Sequence, residues 1–207
     1  MLRATVVLGL VAVLAAAPAS PKTCGMVIAT GSTPTYRLTT PSGGVRFDVD
    51  GDGVAEQTAW IENVYEVAFL AIDLNGNGTI DSGKELVGGQ MFAQTPHAIA
   101  ALERLAPLQA TTEGTVARHN PGFLDDSDAI WSKLLLWHDL NRNGRSEPEE
   151  LRPIGDVLKK IGMGYSRWNK TDDRGNLLAW RNWVELKHPP SGEFYRDAFD
   201  VVCQVEH

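Results

Sequence analysis

The chain has only two cysteines in 207 residues, no basic excess, no catalytic motif and little long apolar sequence. Each shortage excludes a class. Two cysteines cannot build a disulfide scaffold or a cysteine-ligated zinc or iron–sulfur centre. With 26 Asp+Glu against 19 Lys+Arg the formal net charge is −7, so no basic stripe is available to displace counterions from nucleic acid. His97, His119, His138, His188 and His207 occur singly, and H-E-x-x-H, G-x-S-x-G and a cysteine nucleophile are missing. A binding protein is therefore expected rather than an enzyme, with a secreted hydrolase the weakest alternative.

The one long apolar run sits at the start. Arg3, the run 6–17 and the box Ala17-Pro18-Ala19 predict a signal peptide over 1–19, cleaved before Ser20. The run is too short for a membrane span, which takes about 20 apolar residues. The expected product is secreted, extracellular or periplasmic, and without Arg3 it carries −8 (18 basic and 26 acidic residues). In an oxidising space Cys24 and Cys203 can join the two ends, a loop closure worth about 5 kcal/mol on chain-entropy grounds. Two unpaired buried thiols are the other reading.

After an N-terminal segment, 20–43, residues 44–207 read as one α+β domain: a small antiparallel sheet of hairpins with a few short helices. Alternation and turn residues place strands at 45–47, 56–61, 67–72, 165–170, 177–186 and 198–205. Helical spacing marks 98–105, 128–138 and 154–161, and 107–122 reads as an insertion. The chemistry lies in three acidic loops that begin at 48, 73 and 139.

Calcium takes six to eight oxygens, so a short loop can wrap it when carboxylates or amides recur at alternate positions around a glycine. Loop 3, 139–150, matches D-x-[DN]-x-[DN]-G-x5-E in full. Asp139, Asn141 and Asn143 supply side-chain oxygens, Arg145 a carbonyl, Glu147 a direct or water-mediated contact and Glu150 a bidentate carboxylate. The apolar stretch before it and a Ser146/Glu149 capping box after it predict an EF-hand helix–loop–helix. Loop 2 offers Asp73, Asn75, Asn77, the Thr79 carbonyl and Asp81, but Lys84 holds the twelfth position and Glu85 comes one residue late. Gly83 is the residue that could bulge to bring Glu85 in, and Ile80 is placed to pair with a neighbouring loop. Loop 1 offers Asp48, Asp50, Asp52, the Val54 carbonyl and Glu56 between two strands, which predicts a hairpin loop. Two to three Ca²⁺ are expected, and Mg²⁺ suits such loops less because it demands stricter geometry. The plainer reading is that Asp, Asn and Gly form turns.

These segments, with Trp60, the stretch 128–144, Asp173 to Asn176 and the closing 198–201, resemble bacterial secreted EF-hand-like proteins, found alone and as modules of RTX-type and adhesin-like exoproteins. The resemblance implies calcium binding and covers most of 45–205. A further loop that such proteins carry before residue 128 is missing here, because Ala117, His119 and Pro121 stand at its early ligand positions. The leading expectation is calcium that chiefly stabilises the fold. The alternative is a calcium-dependent module for a cell-surface glycan or protein: Trp168, Trp180, Trp183 and Tyr165 lie on one hairpin, with Trp183 on the face opposite Trp180, Val184 and Leu186.

Overall fold

The computed structural model describes residues 20–88, 90–92, 97–105, 109–110, 116–117 and 122–206. The stretch 1–19, expected as a signal peptide, and most of the 107–122 insertion lie outside them. The strands are β1 (Ser20–Ala29), β2 (Val45–Phe47), β3 (Glu56–Thr58), β4 (Val67–Ala71), β5 (Gln109–Ala110), β6 (Val116–Ala117), β7 (Phe123–Leu124), β8 (Leu135–Trp137), β9 (Leu151–Pro153), β10 (Leu158–Gly162), β11 (Ser166–Thr171), β12 (Leu177–Leu186) and β13 (Tyr195–Glu206). Two helices, α1 (Ala98–Leu105) and α2 (Ile154–Val157), accompany them. Eleven strands form one sheet in the order β7-β10-β12-β13-β1-β4-β8-β9, with β11 against β12, and β3 joining β2 to β13. Their pairings are antiparallel.

This corrects the α+β expectation: the protein is mainly a β-sheet, and no EF-hand helix–loop–helix is present among the described residues. The stretch expected as a helix over 128–138 makes a single 3-10 turn, Trp131–Lys133, and then enters β8. Leu134, Leu136 and Trp137 are all buried, and β8 pairs with both β4 and β9. A strand covered on both faces carries a continuous apolar run, which residue spacing alone does not separate from a helix. The expected helix over 154–161 is likewise one turn, α2, running straight into β10. The helix expected after loop 3 is a 3-10 turn, Pro148–Glu150, whose capping box uses Glu147 and Glu150 rather than Ser146 and Glu149.

Alternation along the strands divides the apolar residues between two cores, one on each face. In β4, Ala68 and Leu70 join Ile28, Ile99, Leu102 and Leu136 on one face. Val67, Phe69 and Ala71 join Phe47, Trp60, Trp137 and Val201 on the other. Trp60 packs at the centre of that second core, with ring centroids 4.6 Å from Phe69, 5.2 Å from Phe47 and 5.4 Å from Trp137. Helix α1 covers the first face, and the buried Asp200 carboxylate on β13 accepts a 2.7 Å hydrogen bond from the Ala98 backbone N–H at its start.

Strand β1 lies between β13 and β4, so the segment left unassigned before residue 44 is central to the sheet. The β1–β13 register shifts between Thr23 and Gly25, and Cys24 at this bulge forms a disulfide with Cys203 at a Cα–Cα distance of 5.9 Å. The two ends are joined, as an exported protein in an oxidising compartment permits. No helix among the described residues is long and apolar enough to cross a membrane.

Candidate metal-binding loops

Each acidic loop closes a hairpin. Loop 1 joins β2 to β3, loop 3 joins β8 to β9, and loop 2 leads from β4 to a bridge between Ala71 and Leu86. The three share a backbone. Their fourth and sixth positions lie in the left-handed region: Gly51 and Gly53 at φ 70° and 93°, Gly76 and Gly78 at 74° and 82°, Arg142 and Gly144 at 57° and 70°. Glycine adopts this region freely, whereas the Arg142 side chain costs about 1–2 kcal/mol there.

The first acid folds back over each loop. Asp48 accepts from the N–H groups of Asp52 and Gly53, Asp73 from Gly76, Asn77 and Gly78, and Asp139 from Asn143 and Gly144, at 2.7–3.2 Å. Asn75 and Asn141 accept from the N–H two residues on. The fifth side chains, Asp52, Asn77 and Asn143, accept from the N–H of Val54, Thr79 and Arg145, the residues expected as carbonyl ligands. Asn77 and Asn143 also donate to the ninth-position acids, Asp81 and Glu147, at 2.8 and 2.7 Å.

Turn formation accounts for these bonds, but it does not call for a buried glutamate, and each loop has one. Glu150 accepts from the N–H of Leu140, Asn141 and Glu147 at 2.7–3.4 Å, the second, third and ninth positions of loop 3. Glu85 accepts from Leu74, Asn75 and Asp81 at 3.0–3.4 Å, the same three positions of loop 2. The late glutamate thus occupies the place of the twelfth residue. Gly83 makes this possible by lying against loop 1: a side-chain carbon there would stand 1.7 Å from the Val49 carbonyl oxygen. Lys84 turns away and donates to the Gly51 carbonyl. In the shorter loop 1 the closing acid is Glu56, which accepts from the N–H of Val49, the second position, at 3.0 Å.

Burial pushes the Glu85, Glu150 and Asp139 carboxyls above their ordinary range. Such groups gain most from a nearby positive charge. Loop 1 already has one. Lys22 on β1 places its ammonium 2.5 Å from Asp50 and 2.6 Å from Glu56. Burial opposes the charge of Lys22, but its two hydrogen bonds outweigh this and raise its pKa, and the same contact lowers that of Asp50. Asp48, Asp50 and Glu56 are the one group of three carboxylates among the described residues whose oxygens converge within 4.8 Å, and a lysine stands among them. Lys22 carries no local signal, since it lies 28 residues before Asp50.

The loops converge. The Ile80 N–H donates to the Ser146 hydroxyl at 2.5 Å, joining the eighth positions of loops 2 and 3, and Gly83 donates to the Asp48 carbonyl at 2.8 Å. A cleft of about 720 Å³ lies between them, lined by Arg46, Asp48, Thr79, Asp81, Asn143 and Arg145 among others. His138, next to loop 3, is not at an exposed helix end as its sequence position suggests. It is buried, its Nδ1 2.8 Å from the Val64 carbonyl, and burial lowers its pKa.

The family model described as the SPM domain matches residues 34–195, a stretch that holds all three loops. The chain belongs to this family. The chain is also 32% identical over 143 residues to the iron-regulated protein FrpA of Neisseria meningitidis serogroup C. That alignment takes in 66% of this chain and 12% of FrpA, so the chain spans a small part of its relative's length. Lys22, Cys24 and Cys203 lie outside the stretch matched to the SPM domain.

Proposed function

We propose that this SPM-domain protein is a secreted or periplasmic calcium-binding protein in which loops 2 and 3 each take one Ca²⁺. The carrying observation is the shared bonding of Glu85 and Glu150, which sets a buried carboxylate at the same place in two loops lined by Asp, Asn and a ninth-position acid. Asp73, Asn75, Asn77, Asp81 and Glu85 form one ligand set, with the Thr79 carbonyl. Asp139, Asn141, Asn143, Glu147 and Glu150 form the other, with the Arg145 carbonyl. Oxygen donors on a pliable loop favour Ca²⁺ over Mg²⁺. Loop 1 holds the ammonium of Lys22 and takes no ion while that contact stands.

The role assigned is binding rather than catalysis. Calcium ties the hairpin ends of β4 and β8 together and stabilises the native state by mass action. Extracellular sites need a Kd of only about 10⁻⁴ to 10⁻³ M. Thermal melts with calcium and with chelator test this: the melting temperature rises with calcium in the wild type, by less in Glu85→Gln or Glu150→Gln, and not at all in the double variant. A wild-type melt indifferent to calcium overturns the proposal.

A further inference from the structure

The odd-numbered residues of β13 carry Phe199, Val201 and Cys203 into one core, and the same face continues beyond that core as Asp197 and the exposed Tyr195. Trp183 of β12 pairs directly with Asp197 in the sheet register. Its ring centroid lies 5.8 Å from that of Tyr195, at 69°. The glycine at 162 makes room for it: a side-chain carbon there would meet the indole Nε1 and Cε2 at 2.3 Å. Clefts of about 720 and 310 Å³ flank the indole and share Arg181, Trp183 and Asp197 in their walls. Both volumes fall in the range of about 300–1,000 Å³ usual for small-molecule sites.

We propose that this double cleft is a binding site for a neutral saccharide, with Trp183 and Tyr195 as the aromatic wall. The polar groups decide the ligand class. Arg181 donates through Nε to Asp197 Oδ1 at 2.8 Å, with Nη2 at ion-pair distance, 2.8 Å, from the same oxygen, and Arg196 donates to Glu193 at 3.0 Å. Each guanidinium is already matched by a carboxylate, so an anionic ligand finds no unmatched positive charge. These charge-neutral, hydrogen-bonded pairs beside the Trp183 and Tyr195 rings suit a sugar's hydroxyls and its apolar C–H face. Tyr36 steadies the wall by donating its hydroxyl to the Asp197 carbonyl. The site uses none of the acidic loops and does not rest on the calcium reading.

The test is calorimetry and a glycan array on the exported chain, with maltotriose, cellotriose and chitotriose as neutral probes and polygalacturonate and a random peptide pool as the other classes. At least one neutral probe binds, equally in calcium and in chelator wherever the chain stays folded. Trp183→Ala weakens that binding about tenfold or more. Trp183→Phe retains part of it, which separates loss of the wall from loss of the fold. Tyr65→Ala, at an exposed ring outside the clefts, changes nothing. Absence of neutral binding, capture of only the acidic or peptide probes, or unchanged binding by a folded Trp183→Ala overturns the proposal.

Discussion

Loops 1 and 3 both carry an acid at the first and ninth positions, have Asp (loop 1) or Asn (loop 3) at the third and fifth, and bend at the same two left-handed positions, yet they answer their own charge differently. In loop 1 the counter-charge comes from within the fold, because Lys22 reaches over from β1 to Asp50 and Glu56. In loop 3, as in loop 2, the closing glutamate accepts from N–H groups of its own hairpin, and Glu150 also from the Trp137 indole N–H at 3.3 Å. A motif therefore specifies a backbone and a charge, and the neighbouring strand decides whether that charge is left for an ion. Asp200 shows a third solution: a buried carboxylate facing the start of α1, pushed up to about 7 and so ready to take a proton.

The sharpest break in the comparison is Lys22→Ala. Removing one partner of a largely buried pair leaves Glu56 unmatched, and about 3 kcal/mol of stability should be lost, read by urea unfolding in chelator. Lys22→Met sharpens it further: with the ammonium gone, calcium should recover stability, and calorimetry should count three ions in place of two. A Lys22→Met protein that still binds two ions would mean that loop 1 is not a blocked copy of loop 3.

Next in size is the calcium-dependent part of stability. At free calcium of 100 times Kd each filled loop contributes about 2.7 kcal/mol, so Glu150→Gln should remove roughly that amount in calcium and little in chelator. Asp200→Asn tests the proton solution. Its folded pKa lies above the unfolded value near 4, so the stability the protonated acid contributes is complete below about pH 4 and lost as pH rises through 7. The Asn variant should melt higher than wild type at pH 8, by an equivalent of about 1 kcal/mol or more, with the gap closing towards pH 4. The smallest effect is Arg142→Gly, which gives loop 3 the glycine that loops 1 and 2 have. Relief of the left-handed strain less the added chain entropy should gain less than about 1 kcal/mol, and removal of a positive charge from the loop should tighten calcium.

Local patterns made much of this legible. Strands β12 and β13, helix α1 and the hairpin around loop 1 follow from alternation, helical spacing and turn chemistry, and of the two readings of the cysteines the pairing of Cys24 with Cys203 is the one the structure has. What was hidden is non-local. The run through Leu134 to Trp137 has a helix's spacing because both of its faces are covered, and only its pairing with β4 and β9 shows a strand. Glu85 looks one residue late until Gly83 is seen against Val49. Lys22 has no motif of its own, and its partners lie across the sheet.

The most direct test of the central claim is calorimetric titration of the exported chain with calcium, run with wild type and with the Glu85→Gln and Glu150→Gln variants. Two ions in wild type, one in each single variant and none in the double variant is the result expected. No binding heat together with no calcium-dependent melt shift, or two ions retained in the double variant, would contradict it.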